Sequence, residues 1–380
     1  MKQRLSKSLA VVLALVMLAT VGSLFAFAVG EEEQPAKRGL NYLVIGDSIA
    51  AGYGMHPVNG SPDDLSNQFT LHHGELVDGT YPKLVSEAIG ATTTVNTARE
   101  SFTTTNYLRM IDHEYDVELT YPQNYYERFL SECTSIMPKV LGGFSDLPVL
   151  KDNMVRYIQE ADVITIGIGN NDTFTAALLG PVFRTLYYMY GMAGQVPLTM
   201  LKGHLNAVTT VDQLIEMAGS YTDIFTELAR RVVVYEKNYD RLIKDILAIN
   251  PDVDIYYVGM YNTFADVQPA DSDIVVQFRN QGDVLSGELK DYVARRSPYA
   301  NRVHYVDVGH VEVWPSVPVD NIMFYMTFLI HCHPDYNGHR QIANKIIASM
   351  KRHGTIDRNT TDSPRIVLAM RGFCKSKTPR

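Results

Sequence analysis

Two hydrophobic rhythms alternate along the chain. Five short runs rich in Val, Ile, Tyr or Thr end near a glycine or a polar turn: Asn41–Gly46, Thr92–Ala98, Asp162–Ile168, Asp254–Met260 and Arg302–Val308. Each predicts a strand. Helical periodicity fills the spaces between them. Tyr81–Ile89 reads as a helix stopped by Gly90. Ile224, Phe225, Leu228, Val232, Tyr235, Tyr239, Leu242 and Ile246 fall on one stripe of a long helix. Pro334–Met350 predicts a last helix, with Asp335 near its start. Strands alternating with helices predict a parallel sheet covered on both faces. In such sheets ligands bind outside the carboxyl ends of the strands, so the residues just past each run carry the chemistry.

Past the first run stands "GDSIAAGYG". Gly46 permits a tight turn, and Ser48 falls where a helix begins, near free backbone N–H groups that favour developing negative charge. Ser48 is either a helix cap or a nucleophile whose own N–H helps hold an oxyanion. Past the second run comes "NTARESFTTTN", and past the third "GIGNND", in which Asn171 carries a side-chain N–H and Asp172 can open the next segment. Far downstream, His333 directly precedes Pro334, a residue suited to the first turn of a helix. That places His333 at the mouth of the last loop, where a neutral imidazole could take a proton from Ser48.

A Gly-Asp-Ser after the first strand, a Gly-x-Asn-Asp after the third and a His-Pro near the C-terminus together resemble the SGNH (GDSL) hydrolase superfamily. The resemblance spans about residues 41–350 in the family's order. It implies a flavodoxin-like three-layer α/β/α fold with a five-stranded parallel sheet and cofactor-free, metal-free hydrolysis of esters. Carried onto this chain, it makes Ser48 the nucleophile and His333 the general base, with an oxyanion hole from Ser48, Asn171 and the second family block. That block usually reads Asn-x-Ala-x-x-Gly. Here Asn96 and Ala98 match, but Ser101 stands in the glycine place and would supply the backbone N–H. The family's acid lies three or two residues before the histidine, where this chain has Ile330 and His331. Either a backbone carbonyl serves instead, or a carboxylate comes from elsewhere, Asp307 after the fifth strand being the candidate.

Composition narrows the picture. The net charge of −8 and the lack of a long basic run give no case for a nucleic-acid partner. Lys2, Arg4 and Lys7 precede an apolar run from Leu9 to Val29, with Ala26-Phe27-Ala28 as a small-residue cleavage site. We therefore expect residues 1–28 to be an export signal or a membrane anchor and 29–39 a linker. The hydrolase domain is expected over 40–350 and a tail over 351–380. Cleavage after Ala28 would remove three cations and take the net charge from −8 to −11. Cys133, Cys332 and Cys374 allow one disulfide at most and show no zinc spacing.

Residues 173–211 form an insertion dense in Leu, Tyr, Phe and Met. It reads either as a helical cap lining an acyl pocket or as a subdomain whose apolar face is buried. A second insertion, 56–80, carries His72 and His73, expected to be exposed loop residues. The expectation is an exported serine esterase acting on lipid or other small-molecule esters, with contact at a membrane surface or cell wall. A carbohydrate O-acetylesterase and an acyltransferase share that chemistry. A non-catalytic binding protein on the same fold is the alternative of another class.

Overall fold

A computed structural model describes residues 39–55, 74–100, 102–115, 147–175, 177, 221–262, 280, 283–284, 287, 290–291, 301–313 and 333–357. All belong to one compact unit, Lys37–Arg380. Strand β1 (Asn41–Gly46) pairs in parallel with β2 (Thr93–Asn96) on one side and β3 (Val163–Gly167) on the other. Strands β4 (Asp254–Val258) and β5 (Val303–Val306) continue the parallel sheet in the order β2-β1-β3-β4-β5. This is the flavodoxin-like doubly wound order, whose crevice opens where the order reverses, between β1 and β3. The expected fold class holds, and the five strands lie within the five apolar runs.

Leu43, Val44, Ile45, Ile164, Ile166, Ile255, Tyr256 and Tyr257 are all buried. Strands covered on both faces read as continuous apolar runs rather than alternating ones. On one face, helices α2 (Tyr81–Ala88) and α6 (Tyr336–His353) pack against each other. On the other, α3 (Thr104–Ile111), α4 (Leu147–Glu160) and α5 (Tyr221–Ile249) pack together. Helix α5 matches the predicted stripe, with Leu228, Tyr235, Tyr239, Leu242 and Ile246 buried.

Helix α6 begins two residues later than Pro334–Met350 predicts. Pro334 instead forms an isolated antiparallel bridge with Val313, and Asp335 is the N-cap, accepting from the Gly338 N–H at 2.8 Å. Ile342, Ile346 and Ile347 of α6 are fully buried, each worth about 1.5–3 kcal/mol. That burial anchors the element immediately following His333.

Helices α3 and α4 were not expected from the sequence. The N-terminal segment, the three cysteines, His72, His73, insertion residues 178–211 and the tail from 358 lie outside the described residues. Among those described, no helix is long and apolar enough to cross a membrane.

Candidate active site

The site is built at the carboxyl ends of β1, β2 and β3. At Gly46 the chain turns so sharply that a Cβ would lie 2.5 Å from the Ala50 Cβ and 3.1 Å from the Gly167 carbonyl oxygen. The Tyr107 hydroxyl accepts from the Gly46 N–H at 3.0 Å, and its proton lies between the Gly46 and Thr97 carbonyls at 2.8 and 2.9 Å. One side chain from α3 thus clamps the ends of β1 and β2.

The helix after this turn, α1 (Ser48–Ala51), is a single turn. Its macrodipole is correspondingly small, so the electrostatic help expected for Ser48 reduces to nearby N–H groups. Asp47, not Ser48, is the cap: its Oδ1 accepts from the Ile49 N–H at 3.1 Å. The Ser48 side chain is therefore not spent on capping. Its N–H meets no acceptor among the described residues and remains available to an oxyanion.

The Ser48 Oγ lies 2.8 Å from the His333 Nε2, hydrogen-bonded across 285 positions of sequence. His333 is 8% exposed. Its ring meets the ring of Tyr53 at a centroid distance of 4.9 Å. Behind it, α6 is tied to α2 by His339, whose Nδ1 accepts from the Tyr81 N–H at 3.2 Å. Burial, and secondarily the neighbouring His333, push His339 down to about 3, so it stays neutral.

Asn171 opens a short π-helical turn, Asn171–Thr175, after β3. Its Nδ2 donates to the Phe102 carbonyl at 3.1 Å. The amide so tied to the loop after β2 keeps a second hydrogen for a ligand. Gly169 makes this turn possible, with φ +140° and a pro-chiral side already filled by the Met260 sulfur and the Tyr235 ring, each 2.9 Å from where a Cβ would be. Asn96 secures the same loop: its Oδ1 accepts from the Ala98 N–H at 3.1 Å, and its Nδ2 donates to the Ala50 and Glu75 carbonyls at 3.2 Å. Asp172 does not simply begin the next segment. It reaches back to α3 and accepts from the Thr104 N–H at 3.0 and 3.1 Å and from the Thr104 hydroxyl.

Ser48, His333 and Asn171 are thus placed on adjoining loops, with Ser48 and His333 in direct contact. Ser101 lies outside the described residues, between Glu100 and Phe102. Asp307 is not brought to the pair. Half exposed, it takes the Lys290 ammonium at 2.5 Å and the Gly309 N–H at 3.1 Å, and Lys290 holds its carboxyl below the ordinary range. It follows β5, three strands across from β1, on the order of 14 Å at the usual strand spacing. As the orienting acid, Asp307 is therefore withdrawn. Sequence reasoning missed Asp47 and Tyr53. Only the glycines flanking Tyr53 could have flagged it.

Two predictions arise from this scaffold. Burial, against the weaker pull of the Ile49 N–H, pushes the Asp47 carboxyl up to about 7. The folded protein then holds a proton that the unfolded chain releases near 3.9, so this group's stabilising contribution is present below pH 4 and lost as pH rises to about 7. Asn caps as well as Asp does, so Asp47→Asn should gain on the parent progressively from pH 4 to 7. Urea unfolding at pH 4, 5.5 and 7.5 checks this, and a difference that is flat with pH would count against a buried neutral carboxyl.

Gly338 is the second case. A Cβ there would stand 2.0 Å from the Glu312 carbonyl oxygen, and backbone cannot swing aside as a side chain can. Gly338→Ala should cost about 1–3 kcal/mol by overpacking. The same strain would move the Val313–Pro334 bridge beside His333. Calorimetry should therefore show a lower melting temperature, and the reactivity of Ser48 should fall with it.

Among the described residues no group of three His, Cys, Asp or Glu side chains is placed to hold a metal ion. No family model and no curated protein matches the chain. Among solved structures, an extracellular lipase from Streptomyces rimosus is similar at 14% identity, covering 82% of this chain and 99% of its own, with a TM-score of 0.44. A phospholipase A1 from Streptomyces albidoflavus is similar at 12% identity over 82% and 99% of the two chains, with a TM-score of 0.43. A family two carbohydrate esterase from Clostridium thermocellum is similar at 12% identity over 84% and 65%, with a TM-score of 0.37.

Proposed function

We propose that this chain is an exported serine esterase of the SGNH type, cleaving carboxylic esters through an acyl-enzyme on Ser48 with His333 as general base. The 2.8 Å contact between the Ser48 Oγ and the His333 Nε2 carries this reading. With the imidazole proton on Nδ1, Nε2 accepts the serine proton as Oγ attacks the ester carbonyl. The oxyanion that forms is met by the Ser48 N–H and the second hydrogen on the Asn171 Nδ2, with Ser101, in the glycine place of the second family block, as the further donor that the SGNH resemblance implies. Donors arranged before the charge develops cost little reorganisation, which is why such holes contribute strongly. The imidazolium then returns its proton to the leaving alkoxide, and water repeats the cycle to free the acid.

The apolar composition of residues 173–211 supports lipid esters as the substrate class, and the basic and apolar start of the chain supports export. The test is hydrolysis of p-nitrophenyl esters from acetate to palmitate, together with labelling by a fluorophosphonate probe. Turnover rising with chain length supports a lipid esterase. Turnover confined to acetate would transfer the reading to O-acetyl esters of sugars. A labelled protein that hydrolyses none of them would point to acyl transfer, and an unlabelled, inert one to a binding protein.

A further inference from the structure

The turn after Ser48 runs Gly52-Tyr53-Gly54, and both glycines have positive φ, 88° and 83°. Left-handed backbone on each side fixes where Tyr53 leaves the chain. Its N–H donates to the Ser48 carbonyl at 2.9 Å. Its ring lies 4.9 Å from the imidazole of His333, the two planes inclined at 55°. Tyr53 is 8% exposed, so this contact is made largely out of water. One residue therefore holds both the backbone of the nucleophile and the ring of the base.

Building on the serine-esterase reading, we propose that Tyr53 is a positioning residue for the Ser48–His333 pair, its aromatic ring, packed against the imidazole, stabilising the imidazolium formed when His333 takes the serine proton. A cation within about 6 Å of a tyrosine centroid is attracted by the ring quadrupole, more so where water is excluded. The group stabilised is transient. As the bond from Oγ to carbon forms, the carbonyl π pair moves to oxygen and the serine proton moves to Nε2. Tyr53 exchanges no proton in this step.

The other ionisable groups around His333 do not oppose this. Glu100, buried on the loop after β2, is close enough for its charge to help raise the Tyr53 hydroxyl, after burial itself. His339, from α6, is held neutral. Asp335, two residues on, is raised by burial and engaged by the Gly338 N–H. Asp307 is taken by Lys290. The positions where the family carries its acid hold Ile330 and His331, neither of which is a carboxylate.

The experiment is NMR titration of the His333 imidazole in the full chain, its resonance assigned by loss in His333→Gln. Tyr53→Phe, Tyr53→Leu and Tyr53→Met are compared with the parent, alongside kcat and KM on p-nitrophenyl butyrate. Phe keeps the ring and should leave the titration and kcat within about two-fold of the parent. Leu should lower the His333 pKa by about half to one unit and kcat about ten-fold with KM unchanged, the acid limb of kcat/KM moving to lower pH with it. Met fills the same space without an aromatic face and should behave as Leu does, which guards against a Leu variant that fails to fold. An unmoved titration in Leu and Met overturns the proposal, as does a Phe variant that loses as much as they do. Because the titration reads His333 without turnover, a chain that cleaves no ester would sink the esterase reading alone.

Discussion

Ser48→Ala is expected to abolish ester hydrolysis and fluorophosphonate labelling together, and His333→Ala to lower both nearly as far. In the proposed mechanism nucleophile and base act as one unit, and removing either member of such a unit typically costs on the order of 10⁶-fold in kcat. The 2.8 Å bond between them is the structural statement of that unity. Consequently the double variant should be no slower than the worse single one. Burst kinetics with a p-nitrophenyl ester measure this directly. Additive losses in the double variant would mean that the two side chains act on different steps, and the acyl-enzyme mechanism would have to be abandoned. Thermal unfolding of the variants should stay near that of the parent, because Ser48 caps nothing and its removal leaves no helix end unsatisfied.

Asn171→Ala is expected to lower kcat by about 10²–10³-fold with little change in KM, the usual result of deleting one oxyanion donor. The amide has two roles, and they separate by measurement. Its bond to the Phe102 carbonyl is an ordinary structural hydrogen bond, worth about 1 kcal/mol. In the proposed mechanism its second hydrogen serves only the charged transition state. Asn171→Asp discriminates further, since a carboxylate there repels the oxyanion and should be slower than alanine despite its similar shape. A variant whose rate falls only as its stability falls would remove Asn171 from the oxyanion hole.

Much of this architecture was legible in the sequence because both-face burial writes strands as unbroken apolar runs ended by glycine. Helix α3 was not legible, for a physical reason. Its cap and first turn read Thr103-Thr104-Thr105-Asn106, residues that favour turns as readily as helices. What commits them is a capping box within the segment and the carboxylate of Asp172, delivered from 68 positions further on. No local pattern announces an acceptor that remote. Asp307 failed in the opposite way. Its place at a strand end was read correctly, but sequence order says nothing of lateral distance across a sheet. Ser48 and His333 were readable because each sits beside a backbone landmark, a Gly-Asp turn and a proline, that restricts where its side chain can go. Tyr53 has only its glycine neighbours for a landmark, and glycines flank many tyrosines that touch nothing reactive.

The reactive pair joins the first turn of the sheet to a residue just before its last helix. A growing chain therefore carries an inert serine through nearly all of its synthesis, and the hydroxyl gains its base only when α6 docks beside α2. Any esterase activity is thereby withheld until the fold closes on itself. In the exported esterase proposed above, this amounts to a built-in delay: hydrolysis begins where folding ends.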